Sequence, residues 1–195
     1  PGLAEVDAAA CRWVAAGPGR SGRFRLADPV LIRHLIWTAA RRGLPLQVHT
    51  GFGDPDLHLL GANPLHLTAL IRALAPTGTT VLLLHCYPYH REAAYLASVH
   101  PHVAMDVGLA VPYVGVRASA VLAEALELAP FHKLLYASDG FGLPELLYLG
   151  AVRFLGALEE VLAPWVNGGE MGYDDACRLA GMVASGNARR VYAIE

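Results

Sequence analysis

Apolar positions along this chain follow two rhythms. Four short runs, 44–49, 80–85, 102–107 and 133–138, are apolar with little alternation, as in Val81-Leu82-Leu83-Leu84 and Leu134-Leu135-Tyr136. Strands that are apolar on both faces belong to parallel sheets covered by helices. Between and around these runs the spacing becomes helical, over 30–42, 64–75, about 89–99, about 116–129 and about 143–163. Asp28-Pro29 and Asn63-Pro64 each set a capping side chain before a proline at the first helical position, and Gly43 fits the end of a helix. Residues 3–16 predict a further helix ahead of the loose GPGRSGR stretch, and two short helices, near 173–185 and 187–193, finish the chain.

Strand, loop, helix and strand thus succeed one another in βα units, which predicts an α/β fold. No GxGxxG or Walker pattern follows any of the strands, so a nucleotide-binding sheet loses ground to a (β/α)8 barrel of the TIM type. Four strands are half of eight. Either the other half lies in sequence outside this stretch, or half-barrels pair. Two open edges and an uncovered inner surface predict that residues 1–195 do not persist as an isolated monomer.

At 195 residues, with 54% hydrophobic and 16% charged, the chain builds one domain and buries much of its surface against itself or a partner. A net charge of −2 without a long basic run excludes nucleic acid as the main partner. The apolar stretches fall short of the ~18–20 residues of a membrane span. Cys11, Cys86 and Cys177 lack metal-ligand spacing and read as reduced thiols of a cytoplasmic protein. The chain begins at Pro1 rather than Met, so its natural N-terminus is expected to lie upstream.

Three strand ends carry chemistry. The first run ends in His49-Thr50-Gly51-Phe52-Gly53-Asp54, the second in His85-Cys86, the fourth in Ser138-Asp139-Gly140. The C-terminal ends of barrel strands are where active sites are built. A lone histidine there has even odds of being a core residue bonded to a carbonyl. His49, His85 and Asp139 together are a ligand set suited to zinc or a similar divalent ion, and a polar mouth favours an open catalytic site over a closed structural one. Asp139 and His85 are the catalytic candidates, Asp139 as the group that moves protons. Asp54, Tyr87, His90 and Arg91 follow in the loops as candidates for substrate binding, beside Asp56 and Tyr89. Asp54 and Asp56 are more often simple turn residues than substrate ligands, and Arg91 is divided between a substrate carboxylate and a helix neighbour. Asp106 ends the third strand on the same side, as a partner behind the ligands. His100-Pro101-His102 has ligand spacing but sits at the start of a strand, away from the mouth. His34, His58, His66 and His132 read as surface or packing residues.

With these residues in place the pattern resembles the amidohydrolase superfamily, and within it the amidohydrolase 2 branch that includes the N-terminal domain of FluG-type, nodulin-like proteins. The stretches that carry the resemblance are GLPLQVHTGFGDPDL, ANPLHL, LLLHCYPYHREAAYLA, DVGLA, ELAPFHKLLYASDGFGLPELLYLGA and GNARRVYAI, in that order over most of residues 28–194. The resemblance implies a (β/α)8 barrel whose second half, strands five to eight with their helices, is this chain. Residues 1–27 would be a leading helix and loop, and 28–195 four βα units with the terminal helices. His49 then matches the histidine ending strand five, His85 that of strand six and Asp139 the aspartate of strand eight. The strand-one His-x-His that completes the family's site is not in this sequence. The chain is therefore expected to be the C-terminal part of a longer protein.

The function implied is metal-dependent hydrolysis of an amide or other C–N bond in a small polar molecule, with a γ-glutamyl or similar nitrogenous substrate suggested by association alone. A metal-dependent decarboxylase on the same scaffold is the alternative, and a catalytically incomplete structural half-barrel the third reading. The expected partners are a small-molecule substrate and either the missing half-barrel or a second copy.

Overall fold

A computed structural model describes residues 1–19 and 21–194. Among these residues the order is α1 (Leu3–Ala16), α2 (Pro29–Arg41), β1 (Leu46–Thr50), α3 (Thr68–Leu74), β2 (Val81–His85), α4 (His90–Val99), β3 (Val103–Asp106), α5 (Ala110–Val114), α6 (Ala118–Leu126), β4 (Leu134–Leu135), α7 (Pro144–Asn167), α8 (Tyr173–Gly181) and α9 (Asn187–Tyr192). The strands form one parallel sheet in the order β1-β2-β3-β4. Sequential order without a reversal differs from a doubly wound sheet, in which the order switches direction.

Local chemistry sets the helix starts. Asp28 Oδ1 accepts from the Val30 N–H at 2.8 Å, with Pro29 opening α2. Asn63 Oδ1 accepts from the Leu65 N–H at 2.9 Å, but the next turn, Pro64–Leu67, winds as a 3-10 helix, so α3 begins only at Thr68. The helix expected over 116–129 is the shorter α6, and Gly115 at φ +57° separates it from α5, a short helix that no apolar run predicted.

The fourth strand is shorter than its apolar run predicts. Beyond Leu135 the Tyr136 N–H donates to the Val183 carbonyl at 3.0 Å instead of continuing the sheet. Val183 lies in a π-helical turn, Met182–Gly186, that joins α8 to α9. The buried Asn187 then donates from Nδ2 to the Phe131 and Leu134 carbonyls at 2.8 and 2.7 Å. Carbonyls and amides that a fifth strand could satisfy are satisfied here by the C-terminal segment.

The two faces of the sheet are covered differently. On one, Val81, Leu83, Val103, Met105 and Leu134 pack beneath Ile71, Leu96, Leu122, Phe154 and Leu158 of the surrounding helices. On the other, Leu82, Ala104 and Leu135 are 2–3% exposed, against Ala188, Val191 and Tyr192 of α9. This corrects the expectation of an uncovered inner surface: α9 covers β2 to β4, and the exposed inner positions are Gln47 and His49 on β1. No helix among the described residues is long and apolar enough to cross a membrane.

Candidate functional site

β2 ends in an unusual backbone. His85 and Cys86 have φ of +68° and +60°. The Cys86 N–H donates to Leu84 O at 2.8 Å and the Tyr87 N–H to His85 O at 2.7 Å. These are two successive γ-turns with positive φ, a conformation that costs ~1–3 kcal/mol per residue and persists only where its surroundings enforce it. Asp106 supplies that enforcement. Its Oδ1 accepts from the His85 N–H at 2.9 Å and from the Gly108 N–H at 2.8 Å, pinning the end of β2 to the end of β3. The carboxyl is 1% exposed, and burial pushes its pKa up to about 6 despite the two N–H donors, which pull the other way. Cys86 is wholly buried, and burial raises its thiol far above the ordinary range. It is a packing residue, not a nucleophile.

The end of β1 is fixed by glycine. At Gly51, φ is +77° and a Cβ would lie 2.2 Å from the Tyr87 carbonyl oxygen. That carbonyl accepts the Phe52 N–H at 2.7 Å, which ties the loop after β1 to the loop after β2. A Cβ at Gly53 would lie 2.7 Å from His49 Nε2. His49 Nε2 instead bonds the Phe52 carbonyl at 3.0 Å, which puts the proton on Nε2 and leaves Nδ1 as the lone-pair nitrogen.

These loops bring the strand ends together. The His49 and His85 rings stand edge-on with centroids 4.7 Å apart. His85 Nε2 lies 3.9 Å from Asp139 Oδ1 and its Nδ1 lies 3.8 Å from Asp106 Oδ1, both too long for hydrogen bonds. The buried Nδ1 has no hydrogen-bond partner among the described residues. Burial lowers the pKa of His85, Asp139 opposes the shift and His49 adds to it, so the imidazole is neutral at neutral pH and offers a lone pair. A cavity of about 630 Å3 opens here, lined by His49, Asp54, His85, Tyr113, Ser138 and Asp139 among others. Among the described residues, no three His, Cys, Asp or Glu side chains close around one point to hold a metal.

The other candidates are distributed more widely. Asp54 reaches the mouth, whereas Asp56 pairs with Arg25 at 2.9 Å, which holds its carboxyl below the usual range. Tyr87 lines a neighbouring cavity. His90 is buried at the start of α4 and bonds Glu124 Oε2 at 2.7 Å. Arg91 is held by Glu127 at 3.1 Å and by Glu124 at 3.7 Å. His100 and His102 sit at the start of β3, at the opposite end of the sheet, and His102 Nε2 donates to the Ile71 carbonyl at 2.9 Å. Sequence reasoning missed Phe52 in the loop after β1, and it missed Pro112 and Tyr113 because α5 was not foreseen. It placed Asp106 behind the ligands but not on the His85 backbone. An aspartate two residues before a glycine, Asp106-Val107-Gly108, is the signal of such a side chain–backbone bond.

Residues 6–194 match the family model described as Amidohydrolase. The chain is 42% identical over 149 residues to protein fluG of Emericella nidulans; the match covers 76% of this chain and 17% of that protein. It is also similar to a solved structure from Lactobacillus casei ATCC 334, described as a provisionally assigned metal-dependent hydrolase, at 35% identity and a TM-score of 0.79. That match covers 89% of this chain and 46% of the solved one, so the chain spans less than half the length of either relative.

Proposed function

The chain belongs to the amidohydrolase family, and on that premise we propose that its mouth is part of a metal-dependent hydrolase site for an amide or related C–N bond of a small polar molecule. The observation that carries this reading is the meeting of His49, His85 and Asp139, from the ends of three parallel strands, in one cavity. In this reading the four βα units are the second half of a (β/α)8 barrel, and the remaining strands come from elsewhere in the protein or from another subunit.

The donors fit a divalent ion as part of its ligand set. Two ligands each ~2.1 Å from one ion stand no more than ~4.2 Å apart, and the 3.9 Å between His85 Nε2 and Asp139 Oδ1 falls within that reach. His49, His85 and Asp139 would hold the ion, zinc being the first candidate for two nitrogens and an oxygen. Such an ion supplies Lewis acidity and activates water at neutral pH. The chain's own residues supply the rest. Asp106 fixes the backbone of His85, burial keeps its imidazole neutral, and Asp139 takes a proton from the attacking water and returns it to the leaving nitrogen. Asp54 is placed to orient a polar substrate.

One observation favours a second reading, a stretch that is structural until further ligands arrive: among the described residues its own donors do not close around one point. Elemental analysis separates the two. Stoichiometric zinc in residues 1–195 alone supports a self-sufficient site, and metal only in the longer protein supports a shared one. Activity is tested by incubating the metal-loaded protein with small amides and measuring released amine and carbon dioxide. Amine without carbon dioxide is expected, with Asp139→Asn lowering kcat by ~10²–10⁴-fold. Carbon dioxide instead makes the protein a decarboxylase.

A further inference from the structure

A second cavity, about 480 Å3, opens beside the mouth and is lined by Phe52, Tyr87, Tyr113, Arg117, Val121 and Glu124 among others. Phe52 and Tyr113 line both cavities, so their edge-to-face pair, 5.4 Å between centroids, is the rim between them. Tyr87 completes the aromatic wall, 5.8 Å from Phe52 and stacked on the buried His90 ring at 5.6 Å. These walls are the loops after β1 and β2 with α5 and α6, four segments of this chain.

Two opposite charges enter this cavity, and they are not equivalent. Glu124 is already committed: Oε2 bonds His90 at 2.7 Å and Oε1 lies 3.7 Å from Arg91. The hydrogen bond from His90 is the main reason its carboxyl sits below the usual range. Arg91 is in turn held by Glu127 at 3.1 Å. Arg117 is exposed at the start of α6 and forms no ion pair among the described residues. Arg117 acts on Glu124 only through space and is the one of the two charges that no contact ion pair holds among the described residues; its planar guanidinium fork matches a carboxylate, and beside it lies an aromatic wall that suits an apolar stem.

We propose that this cavity is a carboxylate-binding subsite anchored by Arg117, with the substrate's stem lying on Phe52 and Tyr113 and its reacting bond across the rim, at the mouth. The inference rests on the hydrolase reading and extends it: the substrate is an amide-like compound that carries a carboxylate at a distance from the bond that breaks. Arg91, the sequence candidate for that role, is held by its two glutamates, and Arg117 takes its place.

The probe is 3-phenylpropanoate, with its neutral amide and 3-phenylpropylamine as controls, titrated calorimetrically into the protein and into Arg117→Gln, Arg117→Lys and His49→Ala. The acid is expected to bind wild type and His49→Ala alike. Arg117→Gln should weaken it about tenfold or more, Arg117→Lys should recover part of the loss, and both controls should bind about tenfold more weakly than the acid. Binding lost in His49→Ala but kept in Arg117→Gln places the carboxylate at the mouth and overturns the proposal. Tighter binding of the amine, which puts the ligand on Glu124, overturns it, and so does an acid that does not bind wild type. None of these binding readouts depends on turnover. If the protein hydrolyses neutral amides as well as carboxylate-bearing ones, the hydrolase reading stands and the subsite falls.

Discussion

Asp106 shows how one side chain holds a strained turn in place. Its Oδ1 takes both the His85 and the Gly108 N–H. Asp106→Ala leaves two buried donors unpaired, at ~1–3 kcal/mol each, so a loss of about 2–6 kcal/mol in urea unfolding is expected. Asp106→Asn keeps an acceptor oxygen and should lose much less; equal losses would show that the contact does not matter. Glu124 makes a second test. Its folded pKa lies below the ordinary 4.5, chiefly through the His90 hydrogen bond, so its contribution is present above pH 4.5 and is lost as the pH falls through the lower folded value. Glu124→Gln should therefore flatten the acid limb of stability below pH 4.5, and an unchanged limb would remove the pair from the account. At this scale the sequence was informative about side chains that end strands. That His49, His85, Asp54 and Asp139 would share one mouth could be read because each ends or follows an apolar run. Arg91 could not be resolved, since its partners Glu124 and Glu127 lie a helix away.

The elements were legible where local chemistry dictates them and not where distant partners do. Asp28-Pro29 starts α2 as a capping sequence should. The run 133–138 reads as a full strand, yet only Leu134–Leu135 pairs, because Val183 and Asn187, some fifty residues on, take its hydrogen bonds. No local pattern announces that competition. The paired γ-turns at His85 and Cys86 are equally silent, being imposed by Asp106 and the loop after β1. Gly51 in that loop stands against backbone that a side chain cannot displace. Gly51→Ala meets both a positive φ and the Tyr87 carbonyl, so a destabilisation of about 2–4 kcal/mol is expected. A melting curve like that of the wild type would mean that the two loops are not locked together.

Over the whole molecule, the four-strand parallel order was readable from the succession of apolar runs, but the covering of its second face was not. α9 buries Leu82, Ala104 and Leu135, while α7 and the loop before it expose Phe141, Leu143, Leu147, Tyr148 and Leu155. Phe141 is 89% exposed and Tyr148 73%. Together with the edge of β1, which no further strand pairs among the described residues, such a surface favours association. Residues 1–195 alone are expected to elute as a dimer or larger species in sizing chromatography with light scattering. A cooperative, soluble monomer would show that α9 seals the sheet well enough by itself.

The seal has a consequence in time. The residues that cover Leu82, Ala104 and Leu135 and take the hydrogen bonds beyond Leu135 lie between Val183 and Tyr192, well after all four strands. A ribosome adding ~5–20 residues per second needs several seconds to travel from the end of β4 to Tyr192. Throughout that interval the emerging sheet has one apolar face bare. Nascent chains stalled before Val183 are the ones that need a chaperone's shelter, and those released after Tyr192 are the first that can do without it.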